Sequence, residues 1–300
     1  MSHDHRDDAT LGQSPPVTLR GDAARARLRG ALLQVTSEWS YLRAAVEPAD
    51  EFARAGDDLD GRWLSSAQLV DDPDWLGHVM DDCGRRLGSD DPTVAASLFV
   101  QNYAYRIVTL ALACAMTSGV LPESTAAATA VVVRHGRPTT VGYLTPVVTV
   151  LSPDAASVAH AWHDDGVRDA TLGQLLDDAV AQHLAPLVAT VRRSRRVGEP
   201  LLWGNVASST AVAFRTMEGR YGPWVRDVAD RFFALAPTPL RGRGSFLALE
   251  FGDRRGWFWE RRTCCLYDRL PGAIRCADCS RTPSAVRREA YRTQLASDAP

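Results

Sequence analysis

The sequence contains no lysine; all 34 of its Lys-plus-Arg cations are arginine. Schiff-base catalysis and a phosphate-loop lysine are therefore excluded, because each needs an amine on a flexible stem. An excess of one charge is missing too. The 34 arginines face 36 Asp plus Glu, and a net charge of -2 gives no global field for nucleic acid or an anionic membrane. Long apolar runs are also scarce. The most apolar stretch, Ile107–Met116, spans ten residues, whereas a membrane-spanning helix needs about 20. Met1–Pro16 is polar and lacks the apolar region of a signal peptide. The expectation is a cytoplasmic protein with no integral membrane segment and no nucleic-acid partner. Gly242-Arg-Gly244-Ser-Phe lacks the third glycine of a dinucleotide fingerprint and precedes a strand-like run. Neither a Gly-x-Ser-x-Gly elbow nor a His-Glu-x-x-His pair occurs, which removes two common hydrolase readings.

What is present is ordinary in bulk and uneven in detail. With 300 residues, 45% hydrophobic and 23% charged, the chain can bury one large core or two ordinary ones. Asp22–Val46 carries Leu28, Leu32, Leu33, Trp39 and Leu42 at helical spacing. Asp72-Pro73-Asp74 predicts a capped second helix, and Thr93–Thr117 a long buried one ending at Gly119. The period then changes. Ala130–Arg134 and Thr139–Leu144, around His135-Gly-Arg-Pro138, predict a β-hairpin, with a further strand over Val147–Leu151. Thr171–Arg196, Pro200–Met217 and Pro223–Leu235 read as helices. Ser245–Phe251 and the run through Trp257 and Trp259 read as a hairpin. The expected fold class is α+β, mainly helical with β-hairpins, the C-terminal hairpin leading into a four-cysteine segment. The expected organisation is a disordered polar tail at 1–20, a helix-rich domain at 21–244, the hairpin and cysteine segment at 245–282, and a C-terminal tail at 283–300.

Four of the six cysteines crowd into 16 residues, as Cys264-Cys265, ten residues, Cys276, two residues, Cys279. That density points to a metal site. The Cys276-x-x-Cys279 knuckle suits zinc or iron-sulfur. The adjacent pair discriminates: neighbours in a strand point to opposite faces and meet at one ion only through an unusual turn. A two-iron cluster is larger and more forgiving, so the spacing favours iron-sulfur and leaves zinc open. Cys83 and Cys114 sit in apolar helical patterns and read as core thiols.

The Cys-Cys-x10-Cys-x2-Cys pattern, with Cys264-Cys-Leu-Tyr267, Arg269-Leu-Pro-Gly272 and Leu201-Leu-Trp-Gly-Asn-Val-Ala207, resembles the FhuF-like ferric siderophore reductases. The resemblance is specific over residues 200–280. It implies a 2Fe-2S cluster on Cys264, Cys265, Cys276 and Cys279, and cytoplasmic reduction of a ferric siderophore, of hydroxamate type, that releases Fe(II). It implies no built-in flavin or nicotinamide, so electrons would come from an external donor such as a ferredoxin.

Such a role is chemically coherent. Hydroxamate and catecholate oxygens hold hard Fe(III) far better than Fe(II), so one electron suffices to release the iron. Arg254, Arg255, Arg261, Arg262, Arg269 and Arg275 crowd into 22 residues around the cysteines and would offset cluster charge or receive an acidic donor. Trp203, Asn205, Trp259, Arg262, Tyr267 and Arg269 are the candidate substrate or donor contacts. Two other readings stay open: a non-enzymatic siderophore-handling or interaction protein with structural zinc, and a 2Fe-2S redox sensor.

Overall fold

One helix organises the molecule. In the computed structural model, which describes residues 16–48, 51–54, 56–152 and 158–297, α4 (Pro92–Ser118) runs through the centre with twenty of its residues buried. Its start is written in the sequence: the Asp91 side chain accepts from the amides of Thr93 and Val94, and Pro92 occupies the first turn. Its end is equally local, since Gly119 takes the left-handed conformation (φ 64°) that glycine adopts without penalty. This helix is long and apolar enough to cross a membrane, yet 78% of its most apolar window is buried inside the protein. It is longer than the ten-residue run suggests, because Ala, Ser and Tyr extend the buried face.

Around α4 pack α1 (Gly21–Glu38), α3 (Pro73–Arg86) and α8 (Glu199–Tyr221). A short α2 (Ser66–Asp71) precedes α3, whose N-terminus is capped by Asp72 as expected. The segment expected as one helix from 171 to 196 is α6 (Asp165–Leu175), a nine-residue π-helical stretch (Leu176–Leu184) and α7 (Ala185–Ser194). Pro186, which cannot donate to the helical ladder, sits in the first turn of α7. α5 (Val158–His163) precedes this run and α9 (Val225–Leu235) follows α8. His163 of α5 packs its ring against Trp224 at 5.6 Å.

Three small sheets complete the described residues. β1 (Val17–Arg20) and β4 (Val120–Pro122) flank β7 (Val147–Val150) antiparallel. β2 (Arg43–Val46), β6 (Arg137–Tyr143), β5 (Thr129–Arg134) and β3 (Trp63–Ser65) form the second sheet in that order, with β2 parallel to β6. β8 (Gly244–Phe251) pairs with β9 (Arg254–Arg261). Two boundary expectations need correction. The 1–20 tail includes β1, held by pairing with β7, while residues 1–15 lie outside the described residues. Within 283–300, Ser284–Ser297 form a helix, α10, because Tyr291 and Leu295 find a partner in Phe258 of β9, while residues 298–300 lie outside the described residues.

Candidate metal centre

The cysteine segment leaves β9 and is held against α4 and α8 by a small apolar cluster, Val94, Leu98 and Leu266, with Leu87, Leu201, Tyr267 and Leu270 beside it. Beneath that cluster runs a polar chain through the interior. Arg261, 2% exposed, donates from Nη2 to Asn205 Oδ1 at 2.7 Å and from Nε to the Thr263 carbonyl at 2.7 Å. Asn205 Nδ2 donates to the Ser97 carbonyl (2.9 Å) and Oγ (2.8 Å). The Ser97 hydroxyl then donates to the Cys265 carbonyl at 2.7 Å. β9, α8 and α4 are thereby tied to the backbone of the cysteine pair. The close approach needs Gly204, since a Cβ there would lie 1.7 Å from Thr263 Oγ1.

The adjacent cysteines do sit in a turn. Leu266 adopts φ 65°, uncommon for a branched side chain, and its amide donates to Cys264 Sγ at 3.3 Å. The knuckle closes as a tight turn, with the Cys279 amide donating to the Cys276 carbonyl at 3.0 Å. Cys265 and Cys276 share a hydrogen bond that lowers the Cys265 thiol below its ordinary range, helped by the nearby Arg261 charge, and correspondingly raises Cys276. Burial raises the Cys264 thiol, and its proton points toward Asp268 Oδ1 at 3.9 Å. Asp268 in turn pairs with Arg275 and Arg281 at 3.4 and 3.0 Å. From the other side, Arg287 of α10 donates to the carbonyls of Cys279 and Thr282 at 3.1 and 3.2 Å.

The donor set fits a two-iron cluster. Four thiols stand within one short segment beside a buried cation, an amide already aimed at sulfur, and a buried Thr263 hydroxyl with no partner. Among the described residues no group of three or more His, Cys, Asp or Glu is arranged for a single metal ion; a 2Fe-2S cluster with four protein thiolates takes two per iron and does not need such a group.

The remaining candidates divide. Tyr267 lines a cleft of about 280 Å³ with Cys265 and Cys276, together with Leu87, Leu98, Gln101, Asn102 and Arg137. Arg262 and Arg269 are exposed; Arg269 pairs with Asp91 at 3.3 Å and Arg262 reaches the Gly242 carbonyl at 3.2 Å. Trp203 (4% exposed) and Asn205 (0%) lie inside the protein, which corrects their reading as contact residues: Asn205 has both ends of its amide committed to Ser97 and Arg261. Trp259 is buried against Phe233 (rings 5.0 Å apart) and borders a separate aromatic groove of about 530 Å³. Ser97, Thr263, Gln101, Asn102 and Arg137 carry no motif of their own, so sequence reasoning passed over their placement at this site, whereas Arg261 was among the arginines expected to offset cluster charge.

A profile described as "Ferric iron reductase FhuF-like transporter" matches residues 97–256, more than half of the chain. The chain belongs to the FhuF-like ferric iron reductase family. A second match, the FhuF 2Fe-2S C-terminal domain at residues 261–281, spans all four clustered cysteines and identifies the cofactor as a 2Fe-2S cluster. Comparison with curated proteins gives no match. Among solved structures the chain is similar to ATP-bound aerobactin synthetase IucA from a hypervirulent pathotype of Klebsiella pneumoniae, with 13% identity over 66% of this chain and 42% of that one and a TM-score of 0.48. It is also similar to aerobactin synthetase IucC from the same pathotype, with 14% identity, 73% and 44% coverage, and a TM-score of 0.47. The chain spans less than half the length of either synthetase.

Proposed function

We propose that Cys264, Cys265, Cys276 and Cys279 hold the 2Fe-2S cluster, and that the protein passes one electron to the Fe(III) of a siderophore, of hydroxamate type, freeing Fe(II) in the cytoplasm. The observation that carries this reading is the cleft whose wall includes Cys265 and Cys276. A chelate seated there would be separated from the metal centre by no more than the sulfurs themselves. When bound, the cluster supplies a one-electron reservoir whose potential responds to hydrogen bonds, net charge and exposure.

The chain's own groups set those variables. Arg261 is a buried positive charge facing an anionic thiolate set, and it favours the more negative state. The Leu266 amide hydrogen-bonds Cys264 sulfur and works in the same direction. Leu87, Leu98 and Tyr267 exclude water from part of the cleft wall. Hard oxygen donors hold Fe(II) less well than Fe(III), so the electron itself loosens the metal; the chelating oxygens take up solvent protons as iron leaves. Electrons to restore the reduced state come from an external ferredoxin-type donor, since the sequence carries no nucleotide fingerprint.

The test is direct. Anaerobically purified protein is expected to be reddish-brown with iron and sulfide in equal amounts, and dithionite or a reduced ferredoxin is expected to reduce it where NADH or NADPH alone does not. Addition of a ferric hydroxamate should reoxidise it and deliver Fe(II) to a ferrozine-type trap. A reduced protein that stays reduced before several chemically different ferric siderophores, with the trap present, would defeat the reductase reading. Colourless, zinc-loaded protein that resists iron-sulfur reconstitution would defeat the ligand assignment.

A further inference from the structure

The cleft beside Cys265 and Cys276 has a volume of about 280 Å³, at or below the lower end for pockets that enclose a small molecule. It is too small to surround a hexadentate ferric chelate, so it can receive one edge of it while the rest stays in solvent. A seat of that kind cannot discriminate by overall shape. What it can read is charge, and its lining contains a single formal charge on a conventional ionic side chain, Arg137.

The placement of Arg137 is fixed by the fold. It is the first residue of β6, directly after the His135-Gly136 turn, and both turn residues have positive φ (49° and 72°). That turn is pressed onto the end of α3: a Cβ on Gly136 would lie 2.6 Å from the Cys83 carbonyl oxygen and 3.3 Å from Leu87 of the cleft wall. The arginine is therefore carried to the cleft on a seated hairpin tip. Its side chain is exposed and, among the described residues, makes no ion pair or side-chain hydrogen bond. Its neighbours around the cysteine segment differ, since Arg269 is paired with Asp91 and Arg275 and Arg281 with Asp268.

The geometry points to Arg137 as a charge-selecting residue for the substrate: its guanidinium shifts the cleft toward a ferric hydroxamate that presents an anionic edge and away from one that presents a cationic edge, with Gln101 and Asn102 offering amide groups to the chelate oxygens. This rests on the reductase reading above. The physical need is plain. A thiolate-held cluster makes this wall negative, so an anionic edge is repelled unless a cation also lines the cleft, and Arg137 does. A cationic edge meets the opposite balance, attracted by the sulfurs and opposed by the guanidinium.

Gallium(III) separates binding from reduction, because its chelates copy the ferric ones in size and charge and accept no electron. Equilibrium dialysis of the oxidised holoprotein is performed with Ga(III) tris-hydroxamates in three charge classes: one bearing carboxylate groups, one neutral, and one bearing an ammonium group. Wild type should show a higher ratio of anionic to cationic chelate affinity than any variant that removes the positive charge at 137. Arg137→Glu should weaken the anionic chelate by about tenfold or more and strengthen the cationic one, with the difference shrinking as salt rises. Arg137→Gln should fall between, and Arg137→Lys should retain the ratio. Equal weakening of all three chelates by Arg137→Glu, or no change in any, would overturn the charge-selection proposal. Failure of the matching Fe(III) chelates to reoxidise the reduced protein would instead overturn the reductase reading, and the two failures are read in separate experiments.

Discussion

The six cysteines of this chain live in two surroundings, and the contrast separates the helical body from the C-terminal segment. Cys83 and Cys114 are packed in α3 and α4 with at most 1% exposure, and burial pushes both thiols up to about 12. They are inert apolar fillers. Cys264, Cys265, Cys276 and Cys279 sit on a segment that contributes one buried residue, Leu266, to a small apolar cluster with Val94 and Leu98 of α4, and the backbone of that segment is pinned by Ser97, Arg261 and Arg287. The body gains its rigidity from packing. The cysteine segment borrows its rigidity through hydrogen bonds from α4, α8 and α10. A cluster site needs that arrangement, since four sulfurs have to be held without an apolar core that would keep them protonated.

The largest expected effect tests whether the two cysteine populations are distinct. Serine at 264, 265, 276 or 279 offers a harder, more basic oxygen and should abolish or severely perturb the visible absorption. Cys83→Ser and Cys114→Ser should leave the spectrum intact while destabilising the body. Bleaching by either body substitution, with retention of colour after a C-terminal one, would reverse the assignment.

Next in size is the tie between the two regions. Asn205→Leu leaves the Arg261 guanidinium buried without one of its acceptors and cuts the link to Ser97. Stranding a buried charge costs about 3–4 kcal/mol, read as a lower denaturant midpoint of the holoprotein, and the cluster potential should move as the Cys265 loop loosens. A structural role alone would lower the midpoint with no change of potential. Gly204→Ala should act on the same joint through Thr263.

How far these regions were legible in the sequence follows from the same contrast. Caps and periodicity are local, so Asp72, Gly119 and the β5–β6 hairpin could be read directly. The cysteine spacing is a covalent pattern and was equally visible. The three-residue β3 and β4 were not, because they form only by pairing with partners distant in sequence. Asn205 was singled out for its amide, but its burial between Ser97 and Arg261 depends on contacts 108 and 56 residues away. Arg137 reaches the cleft only because a hairpin tip docks on α3, a fact of tertiary packing that no spacing encodes.

A third prediction confines itself to the body and asks whether its interior titrates. His183 is fully buried, its Nδ1–H donating to the Ser124 carbonyl (2.8 Å) and its Nε2 accepting from the Tyr103 hydroxyl (2.7 Å). Desolvation lowers it from 6.5 to about 4. Between those values the unfolded chain binds the extra proton, so stability falls as pH drops from 6.5 toward 4, by about 3 kcal/mol. Asp178, on the same π-helical stretch, is raised from 3.8 to about 6, chiefly by burial. Here the folded state binds the extra proton, so acidification through 6 toward 3.8 favours folding and opposes the histidine. Asp178→Asn should therefore make the chain more acid-sensitive than wild type between pH 7 and 5, and His183→Gln less so, in urea midpoints followed by tryptophan fluorescence. An unchanged acid slope in both variants would mean that neither group titrates where its burial places it.

The smallest effect concerns the outer rim of the cysteine segment, where Arg262 and Arg269 were both expected to meet an acidic donor. The structure makes them unequal. Arg269 already spends part of its charge on Asp91, and at exposures of 51% and 39% such a pair contributes little to stability. Arg262 is exposed and bonded only to a backbone carbonyl among the described contacts, so its full charge faces solvent. If the donor docks on this rim, Arg262→Glu should slow reduction by an acidic ferredoxin about tenfold at low salt and flatten its salt dependence. Arg269→Glu should do less, because reversing it also frees and repels Asp91 beside the same rim. Reduction by dithionite, whose small dianion does not need a docking face, serves as the reference for both. Equal slowing by Arg262→Glu with ferredoxin and with dithionite would move the effect from docking to the cluster itself, and no slowing with either would place the donor on another face.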